Sequence, residues 1–244
     1  MPGYSRVIRM LDRIRSNIAA AGHHVTLVKG GENPKFAYTV GLTETRLPEL
    51  VLAGATSLTR QQVGRALDAG VAASRDGSVR RGSTLHVEGV GQFELTAVDP
   101  SWTRELLLGA LHYYRRNDVP ALQLVPEESL RTIDVPNLSV PFDPEREPVW
   151  RWLIDEWPFE ISSDTFVMTN LDALHGHAVT EAGRWEKDHW ELFSGAGTDV
   201  AEKDARAVPL ATLLAYDPTL EPVTRLEVGQ GLWRKYMGPW QVWE

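Results

Sequence analysis

The apolar positions of this chain fall first into a helical period and then into short runs of strand character. Val7, Met10, Leu11, Ile14 and Ile18 recur at helical spacing with arginines on the opposite side, and Gly22 stands where such a helix would stop. The spacing predicts an amphipathic N-terminal helix over a docked apolar stripe. Residues 23–28 then alternate as a strand does, and Lys29-Gly30-Gly31-Glu32-Asn33-Pro34 supplies the turn that reverses the chain into residues 36–42. A second apolar run over 47–54 follows a short polar corner. Gly41, inside the first of these two runs, marks a bulge or a close backbone approach, because glycine otherwise weakens a strand.

Thr59 with Gln62 forms the pattern of a capping box, and Val63, Leu67 and Val71 extend one apolar helical face to about Ser74. Two strands are expected at 84–90 and 92–98, then one helix from an N-cap at Ser101 to about residue 117, then a buried strand over 121–125. Helices interspersed with short strands predict an α+β fold: a mixed or antiparallel sheet flanked by two to three helices. Pro126, Pro136, Pro141, Pro144 and Pro148 then sit among charges without any sustained period, as in a linker or wrapping arm. Beyond it, strand-like pieces at 166–168, 177–179, 189–193, 207–210 and 231–233 suggest a small, mainly β module, with about one helical turn near 210–215. The organisation expected is a domain over 1–130, an arm over 131–149 and a β-rich domain over 150–244.

Composition narrows the partners. A formal charge of -8 disfavours the phosphate attraction that drives nucleic-acid or anionic-membrane binding. No run approaches the ~20 apolar residues a membrane helix needs, and Arg6, Arg9, Asp12, Arg13 and Arg15 interrupt the N-terminus where a signal peptide needs an apolar core. With no cysteine, disulfides, thiolate metal sites and cysteine nucleophiles are excluded, and a cytoplasmic location is expected. Nine tryptophans are many for this length. Trp150, Trp152 and Trp185, in the stretch richest in them, are read as an exposed interaction face.

Candidate chemistry is sparse. His175 and His177, placed on a strand, would share a face, and His189 with Asp172, Glu186 or Asp188 would complete a divalent-metal site. His23 and His24 are adjacent, so on a strand they point apart and only one faces inward. No Gly-x-Ser-x-Gly elbow is present, and the glycine pairs at Gly195/Gly197 and Gly229/Gly231 lack the rest of a phosphate-binding loop. The carboxylates Glu127, Glu128, Asp143, Glu145 and Glu147 lie in the proline-rich stretch and read as solvated charge.

Tyr38-Thr39-Val40-Gly41-Leu42, Pro48-Glu49-Leu50 and Ala121-Leu122-Gln123-Leu124-Val125, in that order and separation, resemble the uncharacterised bacterial family numbered 4262 in the domain-of-unknown-function series, over roughly residues 20–130. The resemblance implies a fold and carries no established activity. Members have a histidine directly before the Pro-Glu pair where this chain has Leu47, so no chemistry of that histidine transfers. Asp217-Pro218-Thr219-Leu220 and Gly231-Leu232-Trp233-Arg234 are similar in style to small bacterial β domains that accompany such modules. Where the family-like strings converge, Tyr38, Thr39, Gly41, Glu49 and Gln123 are the expected ligand-binding residues. The leading expectation is a module that binds a protein or small molecule, with sequestering or immunity-type roles as versions of it. The alternatives are a metal-dependent hydrolase using His175, His177 and His189, and an accessory subunit of a larger assembly.

Overall fold

The computed structural model describes residues 2–243, with side chains from residue 7 onward. Helix α1 (Pro2–Ala21) leads into a sheet built from β1 (His24–Val28), β2 (Phe36–Val40), β3 (Glu49–Ala53), β4 (Thr84–Val87), β5 (Gly91–Ala97) and β6 (Ala121–Pro126). Its order is β1-β2-β3-β6-β5-β4, antiparallel throughout except for the parallel pairing of β3 with β6. That one parallel pair requires a crossover, and it is made by α2 (Arg60–Arg75), the β4–β5 hairpin, α3 (Pro100–Leu106) and α4 (Leu108–Tyr114).

Side chains alternate across the strands, so each face of the sheet acquires its own core. Leu50, Leu52, Leu122 and Leu124 pack with Val63, Ala66, Leu67 and Val71 of α2 on one face. Tyr38, Val51, Ala53 and Ala121 pack with Ile14 of α1 and with Trp102, Leu106 and Ala110 of α3 and α4 on the other. The capping box at Thr59 and Gln62 is formed as the sequence indicates. The single helix expected from Ser101 is instead two: Asp99 caps α3 through the Ser101 N–H, and the chain breaks at Leu107, where φ is -95° and ψ is 35°. β2 ends at Val40, with Gly41 at φ 122° turning the chain out of the sheet.

The second half forms a sheet of its own. β7 (Phe166–Asn170), α5 (Leu171–Leu174), β8 (Glu181–Glu186), β9 (His189–Phe193), β10 (Ala205–Pro209), α6 (Leu210–Tyr216), β11 (Gln230–Trp233) and β12 (Gln241–Val242) follow in order. The strand order is β10-β7-β9-β8-β11-β12, again mixed, with β7 parallel to β9. Val167, Trp190, Leu192, Val208 and Leu232 form its core with Leu210, Leu213 and Leu214 of α6. The fold is α+β, and this sheet has as many strands as the first. The expected strand at 177–179 is absent, and β8 occupies 181–186 instead.

The proline-rich stretch wraps instead of linking freely. Both ends of the Gln123 amide hold it: Nε2 donates to the Pro136 carbonyl at 2.8 Å, and Oε1 accepts from the Leu138 N–H at 3.1 Å. The Asp99 N–H donates to Leu138 O at 2.8 Å, and the Trp102 indole N–H to Val140 O at 3.1 Å. Gly54 makes room for the arm: a Cβ there would lie 2.0 Å from the Asp134 carbonyl oxygen, and its φ of 68° already favours glycine.

Candidate functional site

Glu49 opens β3 and is fully buried. A buried carboxylate must find donors, and this one is surrounded by them. β2 and β3 diverge after the Tyr38–Val51 pair, so Thr39 Oγ1 takes over the ladder, accepting from the Leu50 N–H at 2.8 Å and donating to Glu49 Oε2 at 2.7 Å. The chain turning out at Gly41 aims two backbone N–H groups at Glu49 Oε1, from Gly41 at 3.2 Å and Thr43 at 3.0 Å. The Tyr114 hydroxyl, delivered by the last turn of α4, donates to the same oxygen at 2.5 Å and accepts from the Gly41 N–H at 2.6 Å. Burial, and then the adjacent Glu49 charge, holds the Tyr114 phenol far above its ordinary pKa.

Three of the five expected ligand-binding residues, Thr39, Gly41 and Glu49, are thus joined, and Tyr114 is the member that sequence reasoning missed. The other two are elsewhere engaged. Tyr38 OH accepts from the Gly109 N–H at 2.9 Å, which ties β2 to α4, and Gln123 holds the arm. All five are buried, and their polar groups are spent on the fold. This cluster is a hydrogen-bonded joint between sheet, turn and helix.

The metal constellation is not assembled. Among the described residues no group of three or more His, Asp or Glu side chains is placed to hold a metal ion. The reason is local: His175 caps the short helix α5 and Gly176, at φ 93°, turns the chain, so His175 and His177 do not lie on a strand. His189 belongs to β9 and meets Glu191 at 3.1 Å. The tryptophans divide. Trp150 is fully buried, its ring against Phe36 and Trp102 and its N–H on Asp134 O, which removes it from any surface. Trp152 is partly buried and donates to Ala211 O at 3.2 Å. Trp185 is likewise partly buried; it stacks on the exposed Trp243 at 5.4 Å and donates to Glu191 at 2.7 Å.

Two concavities stand out. A polar groove of about 1130 Å³ runs between residues 158–166 and the second sheet, with the Arg184 guanidinium lying 4.6 Å over the Trp190 ring and its Nε buried without a partner. Its charges are mixed, with Lys187 and Arg225 among Glu160, Asp188 and Glu227. The second is smaller, about 330 Å³, and apolar. The β1–β2 hairpin gives it Leu27, Val28 and Phe36, β3 gives Leu52, the start of α2 gives Val63, and β7 of the other sheet gives Phe166. Residues so far apart in sequence leave no spacing signal. The local clue was the lone outward-facing apolar residues Leu27 and Phe166, which remain 39% and 43% exposed.

No curated protein and no solved structure matches this chain. Residues 17–130 match the family described as Domain of unknown function (DUF4262), a span that runs from the end of α1 through β6 and leaves the second sheet outside. The first sheet, with α2, α3 and α4, is thus the part of the chain that is similar to this family.

Proposed function

We propose that the protein is a binding module for a small molecule, and that its site is the apolar pocket where the edge of the first sheet meets β7. The observation that carries this reading is the convergence of Leu27 and Phe166, two large side chains left exposed at a cost in hydration, on one concavity walled by both halves of the chain. A volume of about 330 Å³ is in the range of small-ligand pockets. The same reading takes residues 1–130 and 150–244 as two modules joined by the arm. It places the protein in the bacterial cytoplasm, which the cysteine-free composition supports. Among the described residues no helix is long and apolar enough to cross a membrane. A partner-protein reading is favoured by one feature, the Trp185–Trp243 pair on the second sheet.

Nile red, a neutral apolar dye, tests the pocket. Its fluorescence titration should give saturable binding that weakens about tenfold or more in the Leu27→Ser/Phe166→Ser variant, a change of about 1.4 kcal/mol or more. Both positions are exposed, so the variant should melt close to the parent. Equal dye affinity in parent and variant would place the dye elsewhere and end this reading.

A further inference from the structure

The pocket has a chemical sign as well as a shape. Lys29, Lys35 and Arg60 line it, and no acidic residue is among its walls. Among the described residues none of the three forms an ion pair. Lys35 Nζ spends one donor on the Leu58 carbonyl at 3.2 Å. In a chain of net charge -8, three unpaired cations around one apolar concavity run against the average of the surface.

Arg60 sharpens the point. It is the first residue of α2, a helix of 16 residues whose first turn has no acidic side chain. A cation is disfavoured at that end of a helix because the unpaired N–H groups already make it positive. Among the described residues no ion pair to Arg60 offsets it. Burial holds the Lys35 ammonium below its ordinary pKa, with Asp134 opposing and Arg206 adding to the effect, so an arriving anion would relieve that cost.

From this geometry we infer that the ligand is an amphipathic monoanion, an alkyl or aryl carboxylate. Its apolar body lies against Phe36, Leu52 and Phe166, and its carboxylate is turned to Lys35 and Arg60. The inference rests on the pocket reading above and adds the chemical class of the ligand to it.

Competition against bound Nile red separates the two. Decanoate, decanol and decyltrimethylammonium share a chain length and differ in head-group charge. Decanoate should displace the dye at concentrations about tenfold lower than decanol, and the ammonium should be the weakest. In Lys35→Gln/Arg60→Gln the decanoate advantage should vanish while decanol is unaffected. Lys29→Gln/Arg60→Gln, which alters only exposed residues, should lose part of it with the fold undisturbed. Equal displacement by decanoate and decanol in the parent, or an intact decanoate advantage in the Lys35→Gln/Arg60→Gln variant, overturns the anion inference and leaves the pocket standing. Absence of saturable dye binding in the parent overturns the pocket itself and this inference with it.

Discussion

Glu49 is the residue on which the most polar groups depend. It accepts from Thr39, Gly41, Thr43 and Tyr114, and of these donors only the Gly41 N–H has a second acceptor, the Tyr114 hydroxyl. Glu49→Gln keeps one acceptor oxygen and turns the other into an NH2 donor that faces donors, so the loss should be about 3 kcal/mol. In a chain of this size that is a melting-temperature drop of roughly 6 to 12 °C by calorimetry. A drop below about 2 °C would mean that the network contributes little. The residue pattern made Thr39, Gly41 and Glu49 visible because they sit close together in one motif. Tyr114 was hidden, since nothing in a helical period announces which hydroxyl will cross to a sheet more than sixty residues away.

At the scale of elements, α1 docks on the first sheet through Ile14 and through a polar contact at its C-terminal end, where the Asn17 amide donates to His24 Nδ1 at 2.8 Å. The alternation of 23–28 predicted that one of the two histidines faces inward, and His24 is that one. Burial, then Arg13 and His23, lowers its pKa below 6.5. The unfolded chain therefore binds a proton that the folded chain refuses, so stability falls as pH drops through 6.5 toward the lowered folded value. His24→Gln should flatten that decline in thermal melts taken across the window, and an unchanged slope would assign the acid sensitivity to other groups. Element types over the first half were legible because capping residues and apolar periods agree there. The break between α3 and α4 at Leu107 was not, because the apolar spacing runs straight through it. The missing strand at 177–179 has a plainer cause: Gly176 and the α5 cap commit the chain to a turn that composition alone does not reveal.

For the whole molecule, the arm bonds to both halves, beside the direct bond from Arg206 of β10 to Ser57 O. The arm is bonded to the first sheet by Gln123 and to α5 of the second half by the Ile133 N–H, which donates to Leu174 O at 2.8 Å; just past the arm, the Trp152 indole donates to Ala211 O of α6. Gly54→Ala would drive a methyl group into the Asp134 carbonyl and strain a left-handed residue, costing about 2 to 4 kcal/mol. Near-ultraviolet spectra should register the loosening of Trp150, and melting should begin at lower temperature. A variant that melts like the parent would show that the arm shifts without cost. Composition marked this stretch as distinct, but proline content describes a free linker and a bonded wrap equally well. What decides between them is the far partner Gln123, which no local pattern can supply.

Every strand of the first sheet precedes residue 127 and every strand of the second follows residue 165, so neither sheet borrows a strand from the other half. On a ribosome, where the N-terminal half of a chain emerges first, the first sheet has all its strands before synthesis reaches the arm. The face that holds Trp102 has Ile14 of α1 and Leu106 and Ala110 of α3 and α4 by then, but it lacks Leu138, Val149 and Trp150 until the arm arrives. The nascent chain thus carries a temporarily bare aromatic surface, and the arm is the part of the protein that ends that exposure.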